Sequence, residues 1–173
     1  MKKHLLGFTL LLSLPIMTWA NPALSTVSPA QKRISKNHIP KTYQTQWQKA
    51  ENRNTCAPLV LPSTAPSHIK NASIRPASFH GGWGIAYDLP NKRSAYGIAG
   101  AGITGSLEDV SRWSQYHVWN DGSGAGWGLE GDTGPGHLAY VYLNTQGCLY
   151  NVWSNVSETH LINMLNDLRL TRH

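Results

Sequence analysis

Two histidines pose the first chemical question of this chain, because an imidazole beside a hydroxyl or a carboxylate is the commonest general base in hydrolysis. His80 and His137 each stand next to glycines at the edge of a strand-like run, with Ser78, Ser123, Asp121 and Asp132 as possible companions. No Gly-x-Ser-x-Gly elbow or other nucleophile signature accompanies them, so they are weak catalytic candidates. Glu130 and Asp132 are two carboxylates of the kind that glycoside cleavage uses, but that chemistry depends on their separation in space, which sequence does not state. His68, His80, His117, His137 and His160 form no HxxxH or HExxH pair, and no metal centre is expected.

Glycine-rich motifs are the next candidates. Gly100-Ala101-Gly102-Ile103-Thr104-Gly105 has the spacing of a dinucleotide fingerprint, with Asp121 at about the distance of a ribose-binding acid. Residues 126–131 fit the same pattern, and the strand before Gly100 belongs to a hairpin, not to a parallel βαβ unit, so no cofactor is expected. The oxygen-bearing residues of 120–132 lack the alternating acids of an EF-hand loop. Fourteen of the sixteen glycines lie between Gly81 and Gly136, interleaved with Trp83, Trp113, Trp119 and Trp127. Two readings of that density compete: a glycine-aromatic core, or a groove in which exposed indoles hold a ligand. The groove reading names His80, Trp83, Trp119, Asp121 and Trp127 as ligand-binding residues.

The elements that must position these residues follow from periodicity. Trp83, Ile85 and Tyr87 alternate with Gly84, Ala86 and Asp88, the period-2 pattern of a half-buried strand, and residues 94–99 form its hairpin partner. Residues 137–143 and 148–154 form a second hairpin around the turn Asn144-Thr145-Gln146-Gly147. Ser157 reads as an N-cap, Glu158 sits in the first turn, and Leu161, Met164, Leu165 and Leu168 make one apolar stripe, with Arg169 and Arg172 toward the helix end. Ser106 and Asp109 match a capping box that opens a shorter helix carrying Val110 and Trp113.

Composition and charge bound the class. Residues 1–20, with Lys2 and Lys3 ahead of an apolar run and Thr18-Trp19-Ala20 at its end, read as a secretory signal peptide that is too short to span a membrane. Export makes Cys56 and Cys148, the only two cysteines, a disulfide. The formal charge of +6 is unevenly placed: residues 21–54 hold six Lys or Arg against Glu51, whereas residues 55–173 hold seven against eight acids. That partition puts no basic cluster on the folded domain and excludes a nucleic-acid partner. The arm 21–54, poor in aliphatics, reads as largely disordered, with a short helix over 43–53 and a capacity to attach to an anionic surface.

The expectation is an α+β protein: an antiparallel sheet of two or more hairpins covered by a C-terminal amphipathic helix, a Gly/Trp-rich middle and one disulfide. Its parts are a signal peptide (1–20), a basic arm (21–54) and one domain (55–173). The expected function is a periplasmic or secreted, non-catalytic binding module for an envelope protein or a saccharide. A small envelope hydrolase using His80 or His137, and a structural envelope protein held by its basic arm, are the rival readings.

Overall fold

The computed structural model describes residues 22–132 and 136–172, so the expected signal peptide lies outside the described residues. In chain order the elements are β1 (Arg33–Ile34), α1 (Lys41–Lys49), β2 (Leu59–Val60), β3 (Ser73–Pro76), β4 (Trp83–Leu89), β5 (Lys92–Gly100) and α2 (Leu107–Ser111). They continue with β6 (Gln115–Val118), β7 (Gly124–Leu129), β8 (His137–Tyr142), β9 (Leu149–Ser154), α3 (Glu158–Asp167) and β10 (Arg169–Thr171). The expected organisation is met in outline: the molecule is mostly β-sheet with a few helices, one of them C-terminal, and carries one disulfide between Cys56 and Cys148.

Seven strands form the main sheet in the order β3-β4-β5-β9-β8-β7-β6, every neighbouring pair antiparallel. Hairpins β4–β5 and β8–β9 fall where the alternation places them, and β5 pairs with β9 to join them. Because side chains alternate across a strand, each strand sends one set of residues to each face. Trp83, Ile85, Tyr87, Tyr96, Ile98, Val141, Tyr150 and Val152 are all buried and fill the inner face. The opposite, outer face receives Gly84, Ala86, Gly97, Ala99, Gly126, Gly128, Leu138, Tyr140, Asn151 and Trp153.

The inner face is closed by α3, by α1 and by a second sheet of order β1-β10-β2 that the sequence did not suggest. Ser157 caps α3 by accepting the His160 backbone N–H, and Leu161, Ile162, Met164 and Leu165 are buried. The helix ends at Asp167, short of the expected Arg169: Leu168 turns to extended backbone, and Arg169 Nη1 donates to the carbonyls of Asn166, Asp167 and Leu168. Strand β10 then pairs parallel with β1 and antiparallel with β2, and these backbone hydrogen bonds outweigh one further helical turn.

The arm departs from its expectation. Residues 22–54 are seated on the sheet and not largely disordered: Ser25 N–H donates to Asn166 Oδ1 at 2.7 Å, Ser28 and Ala30 are buried, and Tyr43 of α1 is fully enclosed. Its composition is polar, but Ala30, Ile39, Tyr43 and Ala50 all enter the core, with Leu24, Ile34 and Trp47 packed against it. A few well-placed apolar residues thus offset the ordering entropy that the average composition seemed unable to meet.

Candidate functional site: an aromatic groove on the outer face of the sheet

Glycine on the outer face is what makes the site. A Cβ on Gly97 would sit 2.1 Å from Trp153 Cζ2, one on Gly84 2.6 Å from Phe79 Cδ2, and one on Gly126 2.7 Å from Trp113 Cδ1. Each glycine therefore lets an aromatic ring lie directly on the strand, a close approach that any larger residue would block. Phe79 comes from the loop before β4, Trp153 from β9 itself, and Trp113 from just beyond α2. That short helix is set by a complete capping box: Ser106 accepts from the Asp109 N–H, and the Asp109 carboxylate accepts from the Ser106 N–H.

Two adjoining cavities open on this face. One, of about 450 Å³, has Leu138, Asn151 and Trp153 as its floor, Phe79 on one side and Arg75, Ser94, Asn155 and Glu130 at its rim. The other, of about 700 Å³, is lined by Trp113, Tyr140, Gly128, Gln115, Asp109 and Arg112. Leu138 pairs with Gly128 and Tyr140 with Asn151 across the same strands, so the two cavities lie side by side over the middle of the sheet and are taken together as one candidate groove. The rings stand in two pairs along it: Phe79 and Trp153 with centroids 6.0 Å apart, and Trp113 and Tyr140 at 5.2 Å, nearly perpendicular. All four are partly exposed.

The arginines at the groove are already paired. Arg75 Nε bonds Asp88 at 2.8 Å while its Nη1 and Nη2 bond the Pro76 carbonyl and Ser94 Oγ. The Ser94 backbone N–H and then Arg75 hold the Asp88 carboxyl below its ordinary pKa. At the other end Arg112 pairs with Glu108 across one helical turn, and Asp109 is consumed by its cap. The side chains of Asn151 and Glu130, by contrast, bond no other described residue. The groove offers aromatic faces, one amide and one carboxylate in a field of paired charges. Such a surface suits a neutral ligand with apolar faces and hydroxyl edges.

The ligand-binding residues expected from sequence lie elsewhere. Trp83 is 1% exposed, donating its indole N–H to the Cys56 carbonyl, and Trp119 is 3% exposed, donating to the Ser25 carbonyl at 2.8 Å. Trp127, 9% exposed, points to the inner face and leaves its Nε1 buried without a partner. Asp121 is a structural acid that accepts from Ser28 Oγ and from the Ser123 N–H. His80 is exposed in the loop beside Gly81. These five do not converge on one groove. Of the residues that do, Tyr140, Asn151 and Trp153 were legible through strand parity, on the face opposite the buried residues, whereas Phe79 and Trp113 reach it from connecting segments that no local pattern places there.

Among the residues whose side chains are described, neither hydrolytic candidate meets a nucleophile or an acid. Among the described residues no hydroxyl or carboxylate is hydrogen-bonded to His80 or His137, and His137 Nδ1 is buried without a partner. A serine-histidine contact does exist at His160, whose Nδ1 lies 2.9 Å from Ser154 Oγ and whose Nε2 lies 2.9 Å from the Ser67 carbonyl. The carbonyl can only accept, so Nε2 carries the proton and Ser154 donates to Nδ1. Burial lowers the imidazole pKa against the opposing pull of the Ser67 carbonyl. Ser154 is fully buried, and its Oγ also accepts from the Val156 N–H, so this contact ties α3 to β9 and to the loop at Ser67. No substrate reaches it. Among the described residues there is no cluster of three metal-ligating side chains and no helix long and apolar enough to cross a membrane.

Compared with protein-family models, with curated proteins and with solved structures, the chain matches none.

Proposed function

We propose that the protein is an exported, non-catalytic binding module for an envelope saccharide, with the glycine-floored groove as its binding surface. One observation carries this reading: two pairs of partly exposed aromatic rings flank an uncommitted amide, Asn151, in a groove whose arginines are internally paired. Sugar rings present axial C–H faces that stack on indole and phenol, while their hydroxyls need donors and acceptors such as Asn151 and Glu130. An anionic partner would find the arginines of the groove already taken. The signal-like first twenty residues support an encounter outside the cytoplasm, in the periplasm or beyond.

The test is calorimetric titration of the exported protein with neutral oligosaccharides of envelope glycans, with free reducing ends assayed in parallel. Saturable binding without new reducing ends is the expected result. Release of reducing ends would replace this reading with the envelope hydrolase. Absence of binding to every glycan, together with recovery of a partner protein that Trp153→Ala abolishes, would move the groove to a protein ligand.

A further inference from the structure

The sequence divides its charge into a basic arm and a neutral domain, but the fold undoes that division. Parallel pairing of β1 with β10 sets Arg33 opposite Leu170 and brings Lys32 and Arg33 to the far end of the chain, beside Arg169. Lys32 feels the proximity: burial, and then the charge of Arg169, lower its pKa. A cleft of about 380 Å³ opens there, with Arg33, His38, Thr64, Asp167 and Arg169 in its wall.

The two guanidiniums are under-used. Arg33 Nη1 donates to the Thr171 carbonyl at 3.4 Å, and Arg169 spends Nη1 alone on the end of α3. Each keeps Nε and Nη2 free of an acceptor among the described residues. Neither is paired with an acid, since the ion pairs among the described residues are Arg75–Asp88 and Arg112–Glu108. The one carboxylate in the cleft, Asp167, accepts from Ser67 N–H at 2.9 Å and from Ser67 Oγ at 2.7 Å, which holds its Oδ2 on the serine. Two unpaired guanidinium forks over one cleft match the oxygen geometry of a phosphate.

We infer that this cleft binds a phosphate group, held between Arg33 and Arg169 with His38 and Thr64 at its margin. The site is separate from the saccharide groove, and each stands if the other falls. The phosphate comes either from a soluble ligand or from a lipid headgroup, for which the rest of the basic segment would add a salt-screened attraction.

The experiment titrates the exported protein with inorganic phosphate, and separately with vesicles of phosphatidylglycerol or of phosphatidylcholine, at low and at high salt. Saturable phosphate binding is expected, weakened at least tenfold in Arg33→Gln and in Arg169→Gln and unchanged in Arg93→Gln, an exposed arginine outside the cleft. Arg169→Gln also strips the end of α3, so Arg33→Gln, with an unchanged melting temperature, is the deciding variant. Phosphate binding with no preference for phosphatidylglycerol vesicles assigns the site to a soluble ligand, whereas both responses, lost together in Arg33→Gln, assign it to the headgroup. No phosphate binding, or equal weakening by Arg93→Gln, overturns the site in favour of diffuse charge attraction or of none.

Discussion

The two faces of the seven-stranded sheet use aromatic residues for opposite ends. On the inner face Trp83 meets Tyr43 at a tilt and Tyr150 edge-on, at centroid separations of 6.1 and 6.2 Å, Tyr87 stacks on Tyr96 at 4.5 Å, and little of any of these rings is left to solvent. Their polar tips bond inside the core: Tyr43 to Tyr87, and Tyr150 to the Ala57 carbonyl. On the outer face Phe79, Trp113 and Trp153 rest on glycine and keep one side open. The difference teaches that neither residue type nor a glycine beneath the ring distinguished core from site here, since the buried Trp83 also lies against Gly100; whether other elements cover the face did. An aromatic beneath α1, α3 and the second sheet is core, and an aromatic on the uncovered outer face lines a groove.

The comparison can be broken hardest from the inner side. Replacing Cys56 and Cys148 by alanine opens a loop of 92 residues, and chain entropy puts the loss at about 4–5 kcal/mol, read from urea unfolding under non-reducing conditions. Trp83→Ala leaves a cavity beside that disulfide and should cost about 3–5 kcal/mol by the same measurement. Gly97→Ala moves to the outer face. Its new methyl collides with the Trp153 ring, which must lift; a loss of about 1–3 kcal/mol is expected, together with weakened saccharide binding. Trp153→Ala should cost only about 1 kcal/mol while abolishing binding, the reverse of the Trp83→Ala profile.

The smallest effect is one of pH. His160 is buried with its pKa lowered, so the native state takes up a proton less readily than the unfolded chain. Its contribution to stability is complete above the ordinary histidine value of about 6.5, declines as pH falls below that through the folded value, and then levels off. Urea midpoints of His160→Gln should show a shallower decline between neutral and mildly acid pH than those of the unaltered protein.

Much of this fold is written in local pattern. The hairpins β4–β5 and β8–β9, the Ser157 and Ser106 caps and the apolar stripe of α3 all declare themselves within a few residues. What was not legible depends on distant partners. Strand β1 is two residues long and has no pattern of its own; it exists because β10 lies beside it, and it carries the arm onto the domain and Lys32 and Arg33 to Arg169. The site was hidden for a related reason. Trp83, Trp119 and Trp127 stand in the glycine-rich stretch and invite a functional reading, yet strand parity and packing turn them inward. Trp153 lies outside that stretch, and its glycine, Gly97, is far away in sequence and adjacent only through the β5–β9 pairing.

The indole N–H resonances give the most direct test, because they report each tryptophan separately. On adding a bound oligosaccharide, the Trp113 and Trp153 signals should shift while those of Trp83, Trp119 and Trp127 stay in place. Shifts confined to Trp119 and Trp127, or a saccharide that binds without moving Trp153, would contradict the outer face as the working surface of the molecule.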